Sequence, residues 1–376
     1  MSKVYTIVSI HSCPGQKIGL GNSGGLDIYV KNLIFYLIQK KQKVIFLSKK
    51  HENCDFKIHN KNFNLLHIDP TKKNCLPEKI INDTNVLISN YYTSGVFSKK
   101  NFSKKKLLKI NISHTLEYLK KEHFSDYKVN INRINKEKSI FEFFDYTLSF
   151  SKLENDTLRD KYGVPIKKII NSTPGFERKY FYNQKKDYAR KNINVKNEDK
   201  LLLFVGRNDL LKGLDIAING FKILEKQIKS IKLGIVGGDF GSSEQKKIEN
   251  DLINNDYKDK IYWFGSVSQD NLKKYYNASD LVVIPSRSET FGIVCLEALA
   301  SETHVVATNT GRMKDFIDDG RTGILLNELS PNYLSKKIVN FFENKTNFIF
   351  DDNYYKKIQK FEWQNVLDDL FQKINI

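Results

Sequence analysis

Cysteine is scarce in this chain: Cys13, Cys54, Cys75 and Cys295 are the only four among 376 residues. They show no C-x-x-C spacing, and no second cluster of ligating residues accompanies them along the chain. That excludes a disulfide framework and a zinc ribbon, and leaves free thiols in a reducing cytoplasm with no metal expected. Also lacking is any apolar run long enough to cross a bilayer. The opening MSKVYTIVSIHS carries a short apolar run with polar residues straight after it. It reads as a first strand rather than a signal peptide. The chain is therefore expected in the cytoplasm, with peripheral contact at the inner face of the membrane as its one route to lipid. No internal repeat or low-complexity tract stands out.

What is present in excess is positive charge, a formal +18 at pH 7. Lysine, asparagine and isoleucine recur along the whole length, which marks a compositional bias rather than one patch. The densest cluster, KKNFSKKKLLK at 99–109, can dock on anionic lipid or nucleic acid, or remain a solvated face. No nucleic-acid-binding motif accompanies it, so nucleic acid is not expected as a partner. A hydrophobic content of 40% with 12% aromatics fits a folded globular protein, and the length suffices for two domains.

Short apolar runs recur with helical patterns between several of them. In the first half they are Val4 to Ile10, Val44 to Leu47, Leu65 to Ile68, Val86 to Ser89, Leu107 to Ile112 and Tyr146 to Phe150. In the second half they are Leu201 to Val205, Lys232 to Val236, Ile261 to Phe264, Leu281 to Ile284 and Val305 to Thr308. Such alternation indicates an α/β fold with doubly wound parallel sheets, whose ligands bind at the carboxyl ends of the strands.

One stretch organises the rest, DLVVIPSRSETFGIVCLEALA from Asp280 to Ala300. Its apolar run closes at Pro285, and from Gly292 onward Ile293, Leu296, Leu299 and Ala300 fall at helical spacing. A helix beginning at the end of a strand offers unpaired N–H groups and a partial positive charge to a diphosphate. Glu289 and Glu297 flank that start with seven residues between them, placed to accept hydrogen bonds from sugar hydroxyls. Earlier, Gly206-Arg207 follows a strand and Lys212-Gly213 opens a helix. The planar fork of Arg207 and the mobile charge of Lys212 divide the work around a diphosphate. The Gly24-Gly25 pair stands at another helix entry, where backbone can approach a phosphate closely.

SRSETFGIVCLEALAS resembles the donor-site signature of retaining glycosyltransferases of the GT-B fold, family 4, and FVGRNDLLKGLDIAI resembles that family's second signature. The resemblance implies two Rossmann-like doubly wound domains facing a central cleft. It assigns Glu289 to the donor sugar, Glu297 to the ribose, Phe291, Gly292 and Ile293 to the diphosphate and sugar, and both cations to the diphosphate. HSCPGQKIGLGNSGGLDIYV resembles the subset holding the inositol-phosphate glycosyltransferases of mycothiol synthesis and the sucrose-phosphate synthases. Asp27 lies there beside the acceptor, where the mycothiol enzymes usually carry Asn. SHTLEYLKK resembles the segment in which His meets the donor sugar and Thr an acceptor phosphate, here His114 and Thr115. By position, Lys73, Tyr91, Thr115 and Arg133 correspond to the residues that hold that phosphate.

KIINSTPGFERKYF resembles the crossing between domains, giving an acceptor-binding domain over 1–178 and a nucleotide-sugar domain over 179–355. The tail, 356–376, resembles the final helix that returns to the first domain. Glu302, His304 and Arg312 depart from the family's usual Gly, Pro and Gly, beside the donor site. The activity implied is retaining, metal-independent transfer of a hexosyl group from a nucleotide diphosphate sugar, such as a UDP-sugar, to a small phosphorylated polyol or sugar. His114, Glu289, Arg207 and Lys212 would serve the chemistry, with no cofactor, in a monomer or homodimer. Two alternatives stand beside it: transfer in envelope polysaccharide or glycolipid assembly at the membrane surface, and a catalytically silent nucleotide-sugar-binding protein.

Overall fold

The computed structural model describes residues 2–15, 24–51, 54–103, 105–123, 128–208, 210–238, 246, 248, 250, 257, 259–289 and 291–376. The chain divides into two units: one holds the sequence up to Thr173 together with Val366–Ile376, the other holds Pro174–Asn365.

In the first unit the apolar runs form β1 (Val4–Ser9), β2 (Lys43–Lys49), β3 (Phe63–Ile68), β4 (Val86–Asn90), β5 (Leu108–Ile112), β6 (Tyr146–Ser149) and β7 (Ile169–Asn171). All pair in parallel, in the order β3-β2-β1-β4-β5-β6-β7. In the second unit β8 (Lys200–Val205), β9 (Ile231–Val236), β10 (Ile261–Gly265), β11 (Leu281–Ile284), β12 (Val305–Thr308) and β13 (Gly323–Leu326) follow the order β10-β9-β8-β11-β12-β13, again parallel. Both units are Rossmann-like and doubly wound. Each sheet therefore has a switch point, between β1 and β4 in the first and between β8 and β11 in the second, where a crevice opens at the strands' carboxyl ends.

Central strands such as β4, β11 and β12 are buried at every position, because helices cover both faces. In the second unit one face packs Phe204, Leu233 and Val283 against Ile218, Phe221 and Leu224 of helix Leu214–Glu225 and against Leu334 and Ile338 of helix Pro331–Glu343. The other packs Leu203, Val282 and Ile284 against Leu296 and Leu299 of helix Ile293–Ala300. Each such side chain contributes about 1.5–3 kcal/mol of burial, so the helix bearing Glu297 is held by its own core residues.

Two strands lie outside the sequence expectation, β7 and β13, both short. β7 sits in the stretch read as the crossing, and the division falls after Thr173 rather than after residue 178. The last helix, Trp363–Ile374, places Phe371 against Tyr5 and Tyr36, and the Tyr36 hydroxyl donates to Asp368 at 2.7 Å. The basic stretch is less free than its charge suggests. Lys99 donates to the Ser139 carbonyl, Lys105 to that of Ile81, and Lys109 to that of Leu107, leaving Lys100 and Lys106 exposed. Among the described residues no helix is long and apolar enough to cross a membrane.

Candidate active site

In the second unit the loops after β8 and β11 meet at the switch point. Their contact is made by backbone: the Arg287 N–H donates to the Leu211 carbonyl at 2.8 Å. Gly213 makes that approach possible. Its φ of +73° lies in the left-handed region, and a Cβ there would stand 1.9 Å from the Pro285 carbonyl oxygen. A fork-to-fork pair locks the arrangement, with Arg287 donating to both oxygens of Asp215 at 2.8 and 2.7 Å.

On this frame the Lys212 ammonium donates to Glu289 Oε2 at 2.7 Å. The other carboxylate oxygen of Glu289 accepts from the N–H groups of Gly292 at 3.2 Å and Phe291 at 3.4 Å. Those are donors at the start of helix Ile293–Ala300, whose N-cap Gly292 also has a left-handed φ, +66°. Burial would raise the Glu289 carboxyl, but Lys212 and the two backbone donors outweigh it and hold the group below the usual glutamate range. Arg207 is exposed at the end of β8, and Phe291 and Ile293 are buried. Cationic side chains and helix-terminal N–H groups so gathered suit an anion with two or more phosphates.

Glu297 behaves differently from its partner in the pair. Both its oxygens are taken, by Gln269 at 3.0 Å and Tyr276 at 2.9 Å, and the residue is buried. Burial pushes its pKa up to about 7 even though both partners lower it. In this conformation it faces protein, so the ribose contact implied by the resemblance requires Gln269 or Tyr276 to yield.

In the first unit the structure brings together Tyr91, Thr115 and Arg133. The Arg133 guanidinium donates to the Thr115 carbonyl at 3.0 Å and its hydroxyl at 3.2 Å, and lies 5.4 Å from the Tyr91 ring. Further residues complete the surround. Tyr92 lies 4.5 Å under the guanidinium, Glu117 pairs with Arg133 Nη1 at 3.3 Å, and Glu137 accepts from Nε at 2.8 Å. Tyr162 donates to the second oxygen of Glu137. The i,i+4 spacing of Arg133 and Glu137 was readable in the sequence; the partners from other elements were not.

Three expectations need correction or restriction. His114 has no accessible surface: its ring is hydrogen-bonded to Asn90, stacked 5.9 Å over Phe150 and met edge-on by Tyr29. Burial, with a minor contribution from His11, lowers its pKa to about 3, so it is a neutral packed ring that no sugar reaches in this conformation. Lys73 lies exposed in a turn and makes no hydrogen bond or ion pair with Tyr91, Thr115 or Arg133 among the described residues. Asp27 is buried at the third position of helix Gly25–Gln39, where it accepts from the Gly24 N–H at 3.3 Å and caps the helix. The departures Glu302 and His304 are structural too. Glu302 accepts from Asn183 at 2.6 Å, and His304 stacks 4.5 Å from Phe350. Arg312 pairs with Asp315 at 3.1 Å.

Residues 185–361, which contain both switch-point loops of the second unit, match the family model described as glycosyl transferases group 1. That stretch of the chain therefore carries the family's pattern. A D-inositol 3-phosphate glycosyltransferase of Paenarthrobacter aurescens is 25% identical over 360 residues, covering 86% of each chain. Among solved structures, a sucrose-phosphate synthase from Thermosynechococcus elongatus superposes with a TM-score of 0.85 at 22% identity, covering 99% of both chains. Anabaena HepE in complex with UDP and glucose superposes with a TM-score of 0.80 at 15% identity, again over 99% of both. The fold is therefore GT-B, and the family match falls on the unit that holds Arg207, Lys212 and Glu289.

Proposed function

We propose that this glycosyltransferase moves a hexosyl group, with retention of configuration and without a metal, from a nucleotide diphosphate sugar to a small phosphorylated polyol or sugar. The observation that carries the reading is the Lys212–Glu289 pair at the β8/β11 switch point, beside the exposed Arg207 and the start of helix Ile293–Ala300. Lys212, Arg207 and the helix-terminal N–H groups would stabilise charge growing on the leaving diphosphate. Retention follows the resemblance: attack on the face of departure, with the leaving phosphate taking the acceptor proton.

The acceptor reading rests on Tyr91, Thr115 and Arg133, which can all donate to a phosphate dianion. The named relatives act on, or make, phosphorylated polyols and sugars, which favours the same class here. Transfer at a membrane face is weaker, because three lysines of the basic stretch are spent on carbonyl groups.

The test is to offer a panel of nucleotide sugars with myo-inositol phosphate, fructose 6-phosphate and glycerol phosphate, each beside its dephosphorylated form. Product with the donor's anomeric configuration, formed only from phosphorylated acceptors, is expected. Equal rates with and without the phosphate would overturn the acceptor class, and no donor turnover at all would leave a binding protein.

A further inference from the structure

Two of the four cysteines stand together. Cys13 Sγ lies 3.8 Å from Cys54 Sγ, and one ligand atom from each of Cys13, His51, Cys54 and His67 lies within 4.8 Å of the other three. The topology makes this convergence. β1, β2 and β3 are neighbours in one parallel sheet, so the chain leaves all three at the same edge. Cys13 follows β1, His51 and Cys54 follow β2, and His67 is the next-to-last residue of β3. The linear reading missed it because the four ligands are dispersed. Its one local signal is the H-x-x-C spacing of His51 and Cys54.

We propose that Cys13, His51, Cys54 and His67 form a tetrahedral zinc(II) site. The sulfur separation is the geometric argument. A disulfide holds its sulfurs about 2.05 Å apart. Two thiolates sharing a tetrahedral zinc at about 2.3 Å each stand about 3.8 Å apart, the separation found here. The donor set is the chemical argument: two sulfurs and two imidazoles select zinc over the hard cations that carboxylates and water hold. The buried Nε2 of His67 has no hydrogen-bond partner among the described residues, so it has a lone pair to give. Zinc binding would replace the two thiol protons, releasing both to solvent, and would leave a neutral Zn(S)2(N)2 centre in a half-buried place.

Four ligands from protein close the coordination sphere, which makes this a structural site rather than one that binds substrate. Its effect would be to tie the chain leaving β1, just ahead of the Gly24-Gly25 helix entry, to the carboxyl ends of β2 and the edge strand β3. The inference is independent of the transfer reaction, since none of the four residues is assigned to it.

The experiment uses the full chain, purified under reducing conditions without a metal-chelating tag, and counts zinc by plasma mass spectrometry. About one zinc per chain is expected after dialysis against zinc, with cobalt(II) giving the visible absorption of a tetrahedral thiolate site. Cys54→Ser and His67→Gln should each weaken retention roughly tenfold or more, while Cys75→Ser, outside the cluster, should retain it. Because a ligand variant can misfold, the unaltered protein is also stripped with phenanthroline and its melting followed as zinc is returned; a rise in Tm with zinc, not with magnesium, is expected. Failure of the unaltered protein to retain zinc overturns the proposal, as does equal loss from Cys75→Ser, or a Cys13–Cys54 disulfide in freshly isolated protein.

Discussion

The Lys212 ammonium lies 2.7 Å from Glu289, so two residues assigned to one sugar donor meet each other in the protein alone. Glu289 thereby balances a cation that would otherwise repel Arg207, and a diphosphate would take over that balance. Replacing Lys212 by Ala should cost about 2–4 kcal/mol of transition-state stabilisation, roughly thirty- to a thousandfold in rate. It should also lower Tm, because Glu289, only 11% exposed, would keep its charge with two long backbone hydrogen bonds. Glu289→Gln should lose activity with the smaller change in Tm. Full turnover by Lys212→Ala would remove Lys212 from the donor site.

Gly213 predicts a purely steric failure. Gly213→Ala would place a methyl group 1.9 Å from the Pro285 carbonyl oxygen at a left-handed φ, so the two switch-point loops must part. A loss of about 1–3 kcal/mol of stability with a larger loss of donor affinity is expected, read by thermal melting and nucleotide-sugar titration. Gly24→Ala, where a Cβ has room, should leave Tm unchanged and affect only turnover.

The two glutamates predict opposite responses to pH. Glu289 is held below its usual value, so its contribution is present above about 4.5 and lost as pH falls through its lower folded pKa. Glu297 is raised from 4.5 to about 7, so the folded state holds its proton more tightly and stability falls as pH rises between those values. Glu297→Gln removes that titration. Its Tm should decline less than the parent's from pH 5 to 7, while the residual decline reports Glu154, likewise raised to about 7 by burial, and Glu137, which burial also raises. Parallel curves for parent and variant would mean that Glu297 stays ionised.

The donor half was legible because its signals are contiguous: strand, Pro285, Glu289, Gly292 and the apolar helix face all lie within one short stretch. Parallel alternation likewise revealed eleven of the thirteen strands among the described residues; β7, at three residues, is too short to show a pattern, whereas β13 is as long as β11 and β12 and its apolar run was passed over. The roles of individual polar residues were less readable. Whether His114, Asp27 or Glu297 faces a ligand or the core depends on partners such as Phe150, the Gly24 N–H and Tyr276, all set by folding. The Cys/His cluster was hidden for the same reason: three strands must first pair in register.

Arg133 carries a prediction that the structure sharpens. It faces two buried carboxylates, Glu117 and Glu137, as well as Thr115. Arg133→Ala would strand both and should cost about 3–5 kcal/mol of stability, obscuring any effect on acceptor binding. Thr115→Val and Tyr91→Phe are the cleaner probes, each removing a neutral donor while leaving the ion network. Each should weaken use of a phosphorylated acceptor by about three- to tenfold with donor affinity unchanged. An effect of the same size on donor hydrolysis without acceptor would move these residues out of the acceptor site.

Chelators separate the proposed reaction from the proposed zinc site. With Arg207 and Lys212 supplying positive charge to the diphosphate, magnesium and manganese should be dispensable, and brief EDTA treatment should leave the rate unchanged. A stronger chelator able to reach Cys13, His51, Cys54 and His67 should lower Tm as it withdraws zinc. Activity would then fall only at temperatures near the new melting point, and zinc alone would restore it. Turnover lost in EDTA at low temperature and regained with magnesium or manganese would instead mean that a metal assists the leaving diphosphate. The two outcomes differ in the rescuing ion and in whether Tm moves, so one set of melts and rates decides between them.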